Sequence, residues 1–168
     1  MSRTESWNSL VDALSAETTL VEDLVRRAME MSGALSCLEV AEVERHSAAQ
    51  EITLRALSEA AQTRAAAIDR CVPGRGEFHG RLALQLVIES APEAEADRLR
   101  GLQGRLVGLR DEFLLVRERN HFLIEQTLEF TAHFSASLAD AAADPPSYDA
   151  SGSQANLAPR GELFIGAL

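Results

Sequence analysis

The stretch that decides the fold is EAEADRLRGLQGRLVGLRDEFLLVRERNHFLIEQTLEFTAHFSASLAD, residues 93–140. Starting at Leu99 and stepping alternately by three and four residues visits Leu102, Leu106, Leu109, Phe113, Val116, Asn120, Leu123, Thr127, Phe130 and Phe134. Nine of these eleven positions are apolar. Side chains three and four residues apart share one side of an α-helix, so the spacing predicts a long rod with an apolar seam that must lie against partners. Four of the six phenylalanines, Phe113, Phe122, Phe130 and Phe134, fall in its C-terminal half, which concentrates the largest anchoring side chains at one end. Asn120 and Thr127 are the two polar interruptions. A buried Asn in a helical interface fixes register, because a slipped alignment strands its amide; an exposed one is only a gap in an imperfect seam. The spacing alone admits both readings.

The rod is well delimited upstream. Ser90-Ala91-Pro92 is expected to open it, with Pro92 in the first turn and Glu93 and Glu95 complementing the helix dipole. Before it, Glu77 to Ser90 predicts a short helix with Phe78, Leu82, Ala83, Leu86 and Val87 on its apolar side. Cys71-Val-Pro-Gly-Arg-Gly76 predicts a loop, since Pro73 lacks a backbone donor and the glycines favour turns.

The N-terminal part carries two more helical patterns. Ser2 or Thr4 is placed to cap a first helix whose seam is Trp7, Leu10, Leu14, Val21, Leu24, Ala28, Met31, Leu35 and Leu38, with Gly33 as its one weak point. From Ala34 to about Arg70 the pattern resumes, with Leu54, Leu57, Ala61, Ala65, Ile68 and Val72 expected toward the core. Inside the long rod, Gly101, Gly104 and Gly108 are expected to loosen the helix or admit a close neighbour.

After Asp140 the pattern ends. Pro145-Pro146 forbid continuation, and the rest is rich in Ser, Gly, Ala and Pro without a sustained period. The expected organisation is one helical bundle domain over 1–143 and a flexible C-terminal tail over 144–168. Within the tail, Leu163, Phe164 and Ile165 form an apolar cluster that is either a docking element or merely a sticky end. Aromatics are only 5% of the chain, while Ala, Leu, Glu and Arg abound, and no strand alternation is found. The fold class is therefore all-α: an elongated antiparallel helical bundle with coiled-coil character, three to four helices and a long C-terminal helix.

The formal net charge of −10 opposes phosphate backbones and anionic lipid surfaces. No nucleic acid and no membrane insertion are expected. The absence of a signal-peptide core or a membrane-length apolar run predicts a cytoplasmic protein. Cys37 and Cys71 lack a metal or redox spacing and are expected as free, buried thiols. Glu118 and His121 give a Glu-x-x-His at helical spacing, but a di-iron bundle needs that motif twice, and His46, His79 and His133 have no carboxylate three residues before them. No phosphate loop, dinucleotide fingerprint or nucleophile elbow occurs. The sequence predicts no enzyme, no metal and no cofactor.

The run Arg119-Asn120-His121-Phe122-Leu123-Ile124-Glu125-Gln126-Thr127-Leu128-Glu129-Phe130, with Tyr148-Asp149-Ala150-Ser151-Gly152 after the helix ends, resembles the C-terminal signature of the FlgN family of flagellar type III export chaperones. Specific similarity is confined to these residues, while the layout of two N-terminal helical segments, a short helix and a long last helix is similar over most of the chain. The resemblance implies a cytoplasmic, ATP-independent chaperone. It would bind the terminal amphipathic helices of the hook-filament junction proteins FlgK and FlgL, prevent their premature association and deliver them to the export gate. On that reading Asn120, Leu123, Ile124, Thr127, Phe130, Phe134 and Leu138 are the expected client-binding residues. They could equally close an intramolecular core. Tyr148 is the expected contact to the export gate, unless it is an unengaged loop residue. The residues leave a second function open: a structural or scaffolding coiled-coil protein of an export or secretion apparatus, homo-oligomerising through the same seam. A homo-dimer is compatible with both.

Overall fold

The three-four spacing becomes helix throughout. The computed structural model describes residues 3–73 and 81–143, and among them are four helices and no strand. They are α1 (Arg3–Ser36), α2 (Val40–Cys71), α3 (Arg81–Glu89) and α4 (Glu93–Ala143). The all-α class and the long final helix are as the sequence predicts. The loop after Pro73 and the whole segment 144–168, with Tyr148, Leu163, Phe164 and Ile165, lie outside the described residues. The chain divides into two units, residues 1–126 and 127–168, of which the second is described over 127–143.

In the first unit α1 and α2 form an antiparallel pair. Arg64 Nη1 donates to both carboxylate oxygens of Glu17 at 2.6 and 2.8 Å, Thr53 Oγ1 donates to Asp23, and His46 lies beside Glu30, so residue numbers rise on one helix as they fall on the other. α4 runs parallel to α1, because Asn8 meets Arg98, Glu22 meets Arg105 at 2.5 Å, and Ser32 meets Asn120. The main core gathers Trp7, Leu10, Val11, Ala13 and Leu14 of α1, Ala67 and Ile68 of α2, Leu84, Val87 and Ile88 of α3, and Ala96 and Leu99 of α4. Removing this much apolar surface from water is the main force closing the bundle.

α1 ends differently from its sequence reading. Gly33 is inside the helix, and the chain turns at Cys37–Glu39. Glu39 N–H donates to Ala34 O at 3.0 Å and Leu38 N–H to Leu35 O at 3.2 Å, the paired bonds of a Schellman termination, with Leu38 at φ 57° in the left-handed region that glycine usually fills. A leucine there cannot be recognised from spacing, which continues smoothly through it. Leu38 is consequently exposed instead of part of the seam, and Cys37, expected buried, is exposed at the turn. Cys71 is half-buried, and burial pushes its thiol above the ordinary value.

The expected core face of α2 holds in part: Ile68 is buried, Val72 packs against the core, and Leu57, Ala61 and Ala65 are half-buried. Leu54, at 52% exposure, is not in the core, and His46, Thr53 and Ala67 are buried as well. α1 packs on the side of α2 that carries His46 and Thr53, which are held by polar contacts, so the richer apolar stripe through Leu54 is left beside the pairing. Before α4, Pro92 sits one position outside the helix, its carbonyl accepting from Ala96 N–H at 2.8 Å, while Ser90 Oγ donates back to Leu86 O.

Candidate helix-docking surface

Asn120 is 7% exposed and uses its amide inside the chain: Nδ2 donates to the Ala28 carbonyl at 2.9 Å, and its Oδ1 accepts from Ser32 Oγ. Of the two readings of this interruption, the structure shows the register-fixing one, applied between α1 and α4. It stands apart from the exposed residues named with it on the sequence. Leu123 is half-buried, and Ile124 is at the edge of exposure.

Ile124 also lines a feature that the seam spacing alone does not disclose. A half-open cleft of about 210 Å³ is enclosed by Ala28 and Met31 of α1, Gln50 of α2, and Phe113, Arg117 and Ile124 of α4, with Asn120 and His121 completing it. The signal that could have found its α2 wall is the recurrence of Val43, Leu54 and Leu57 around Gln50, at helical spacings of four and seven. Below it, Glu30 and Glu42 flank the buried ring of His46, and the guanidinium of Arg45 beside Glu42 holds that carboxyl below its ordinary value.

The second unit is described as the helical run 127–143. Its side chains from Leu128 to Asp140 are exposed, including Leu128, Phe130, Phe134 and Leu138, and Thr127 is half-buried. Phe130 and Phe134 stack on each other with ring centroids 6.2 Å apart and planes 9° from parallel. Thr131 and Ser137 return their hydroxyls to Thr127 O and His133 O. Phe130, at 64% exposure, and Phe134, at 56%, form an aromatic patch open to solvent among the described residues.

His121 faces Glu125 at 3.4 Å, not Glu118, and no group of three potential metal ligands occurs among the described residues. No described helix is long and apolar enough to cross a membrane.

These features define an all-α helical bundle that displays an exposed aromatic helix face and a half-open cleft. The chain belongs to the FlgN family: the family model described as FlgN protein matches residues 1–156. It is thus a flagellar export chaperone in the general sense of that family. No curated protein and no solved structure matches it.

Proposed function

We propose that this chain is a cytoplasmic, ATP-independent chaperone that holds the terminal amphipathic helices of the hook-filament junction proteins FlgK and FlgL and delivers them to the flagellar export gate. The observation that carries the reading is the uncovered stack of Phe130 and Phe134, continued by Leu138, in a family of export chaperones. A client helix laid on this face removes both partners' apolar stripes from water, and the aromatic rings supply anchors of the kind that dominate such contacts. Binding of this type delays client association and remains reversible, because ordering the client opposes part of the gain. Residues 144–168 carry Tyr148 as the contact to the gate.

The same uncovered face supports a second reading, a scaffold that homo-oligomerises through it, since two copies can bury it against each other. Co-expression with FlgK and FlgL from the same source, followed by size exclusion with mass determination, separates the two. A stoichiometric complex formed at the expense of any homo-dimer supports the chaperone; an oligomer indifferent to client supports the scaffold. Phe130→Asp, at an exposed position, should abolish co-elution without unfolding the chain, and Tyr148→Ala should spare it while weakening gate binding. Normal client binding by a folded Phe130→Asp variant would sink the site assignment.

A further inference from the structure

The cleft is related to the main core by a simple translation. In the core, Leu10 and Ala13 of α1, Ile68 of α2 and Leu99 of α4 lie in one buried cluster with Leu84, Val87 and Ile88 of α3, and Leu106 of α4 packs against it. Eighteen residues are five helical turns and about 27 Å of rise, so a residue eighteen positions away points from the same side of its helix. Moving that far along α1 leads from Leu10 and Ala13 to Ala28 and Met31. On α4 it leads from Leu99 and Leu106 to Arg117 and Ile124, and on antiparallel α2, in the opposite sense, from Ile68 to Gln50. All five destinations line the cleft. The same sides of the same three helices that enclose α3 at one level enclose open space at the next. α3 is only nine residues long, and no described element continues its course.

The cleft therefore stands, one level on, where the core holds α3. On α2, Val43, Leu54 and Leu57 share the side of Gln50, and the stretch from Val43 to Leu57 spans about 20 Å, room for roughly four turns. Its polarity is set by α4. Where the core has Leu99 the cleft has Arg117, an exposed guanidinium with no carboxylate partner among the described residues, beside His121. Among the described residues no carboxylate lines the cleft, and Glu51, next in sequence to Gln50, is paired with Arg55. The one described side chain of fixed charge lining the cleft is therefore positive, in a chain whose net charge is −10.

We infer that this cleft is a second docking surface, and that its occupant is one amphipathic helix of the client, seated as a fourth bundle member in line with α3, with a carboxylate on the flank that faces Arg117. The identity of the occupant rests on the proposed chaperone function; the location does not use Phe130 or Phe134. Leu54, one turn beyond the cleft-lining Gln50 on the same side of α2, extends the apolar contact past the cleft, and Arg117 supplies the charge complement at the α4 wall.

The test uses the full chain co-expressed with FlgL or FlgK. A photoreactive benzoylphenylalanine at position 54 should cross-link to a terminal helix of the client, as should the same probe at position 134. In binding titrations with the purified client, Leu54→Asp should weaken affinity about tenfold and Arg117→Glu a few-fold, both at unchanged melting temperature because both side chains are exposed. A cross-link from position 54 to a second copy of this chain, or to its own residues 144–168, overturns the client assignment. If neither variant moves the affinity while Phe130→Asp abolishes it, the cleft is refuted and the chaperone reading stands. Client binding untouched by all three variants overturns both.

Discussion

Within the first unit, the level of Leu10 and Leu99 and the level of Ala28 and Asn120 are built on the same three helices, yet the first is closed and the second is open. At the closed level α3 supplies a fourth wall, and the fully packed core residues are aliphatic or aromatic. At the open level the place of Leu102, eighteen residues on, is taken by Asn120, which is satisfied by Ser32 and Ala28 so that the joint between α1 and α4 needs no fourth member. The difference shows how a bundle can stay unfinished without unfolding: one end is stabilised by burial, and the other is held in register by specific hydrogen bonds while its apolar wall remains available.

Removing a large side chain from the closed level is the most direct way to break this contrast. Leu99→Ala should lower stability by about 3 kcal/mol, since Leu99 is fully buried and its loss leaves a cavity. Leu54→Ala, at the open level, should stay within about 0.5 kcal/mol of the parent. Equilibrium urea unfolding measures both, and comparable losses would mean that the two levels do not differ in kind.

Asn120→Ala tests the polar joint. It leaves the Ser32 hydroxyl only its longer bond to the Ala28 carbonyl and removes the Asn120 donor from that carbonyl, for an expected cost of about 1 kcal/mol. A neutral result would show that α1 and α4 are aligned at this level by packing alone.

Smaller and opposite in sign are the backbone changes. Leu38→Gly should raise stability by roughly 1 kcal/mol, because glycine relieves the left-handed strain at φ 57° with little lost packing. Gly104→Ala should raise it by about 0.5–1 kcal/mol, as a methyl group there meets nothing within 4 Å. The melting temperatures of the two single variants check both; a drop for Gly104→Ala would mean that a neighbour does approach this part of α4.

These cases also mark where the sequence was sufficient. The all-α class with three to four helices, the long α4 and most of the seam of α1 were legible from three-four spacing and the Pro92 boundary, because that spacing is the geometry of the helix. The turn at Leu38 was hidden, since an apolar residue in a left-handed conformation keeps the local pattern of a seam. On α2 the spacing placed Ile68 and Val72 rightly but missed His46 and Thr53, polar residues that an apolar pattern does not single out, and put the exposed Leu54 in the core. Asn120 was correctly singled out, but which surface it faced depended on Ser32, eighty-eight residues away. The exposed Phe130 and Phe134 were legible as a seam, whereas the cleft required the chain order of three helices to be folded together first.

The smallest effect concerns the polar pairing of α1 with α2. Asp23 accepts hydrogen bonds from Arg27 at 2.6 Å and from Thr53 of α2 at 3.1 Å, and is also paired with Arg26. The Arg27 bond is the largest influence on its carboxyl, and with Arg26 and Thr53 it outweighs partial burial to hold the group below its ordinary value near 3.8. A carboxyl whose folded value is depressed stabilises the fold above its unfolded value, and that contribution disappears as pH falls through the folded value. In urea midpoints measured from pH 6 downward, the parent should therefore exceed Asp23→Asn by a few tenths of a kcal/mol at most, and the two should converge below about pH 3.8. Added salt should narrow the gap, because the pairs with Arg26 and Arg27 are partly exposed. A gap that persists undiminished at the acid end would assign the role of Asp23 to its neutral contact with Thr53, leaving Glu17–Arg64 as a charged contact of the α1–α2 pairing.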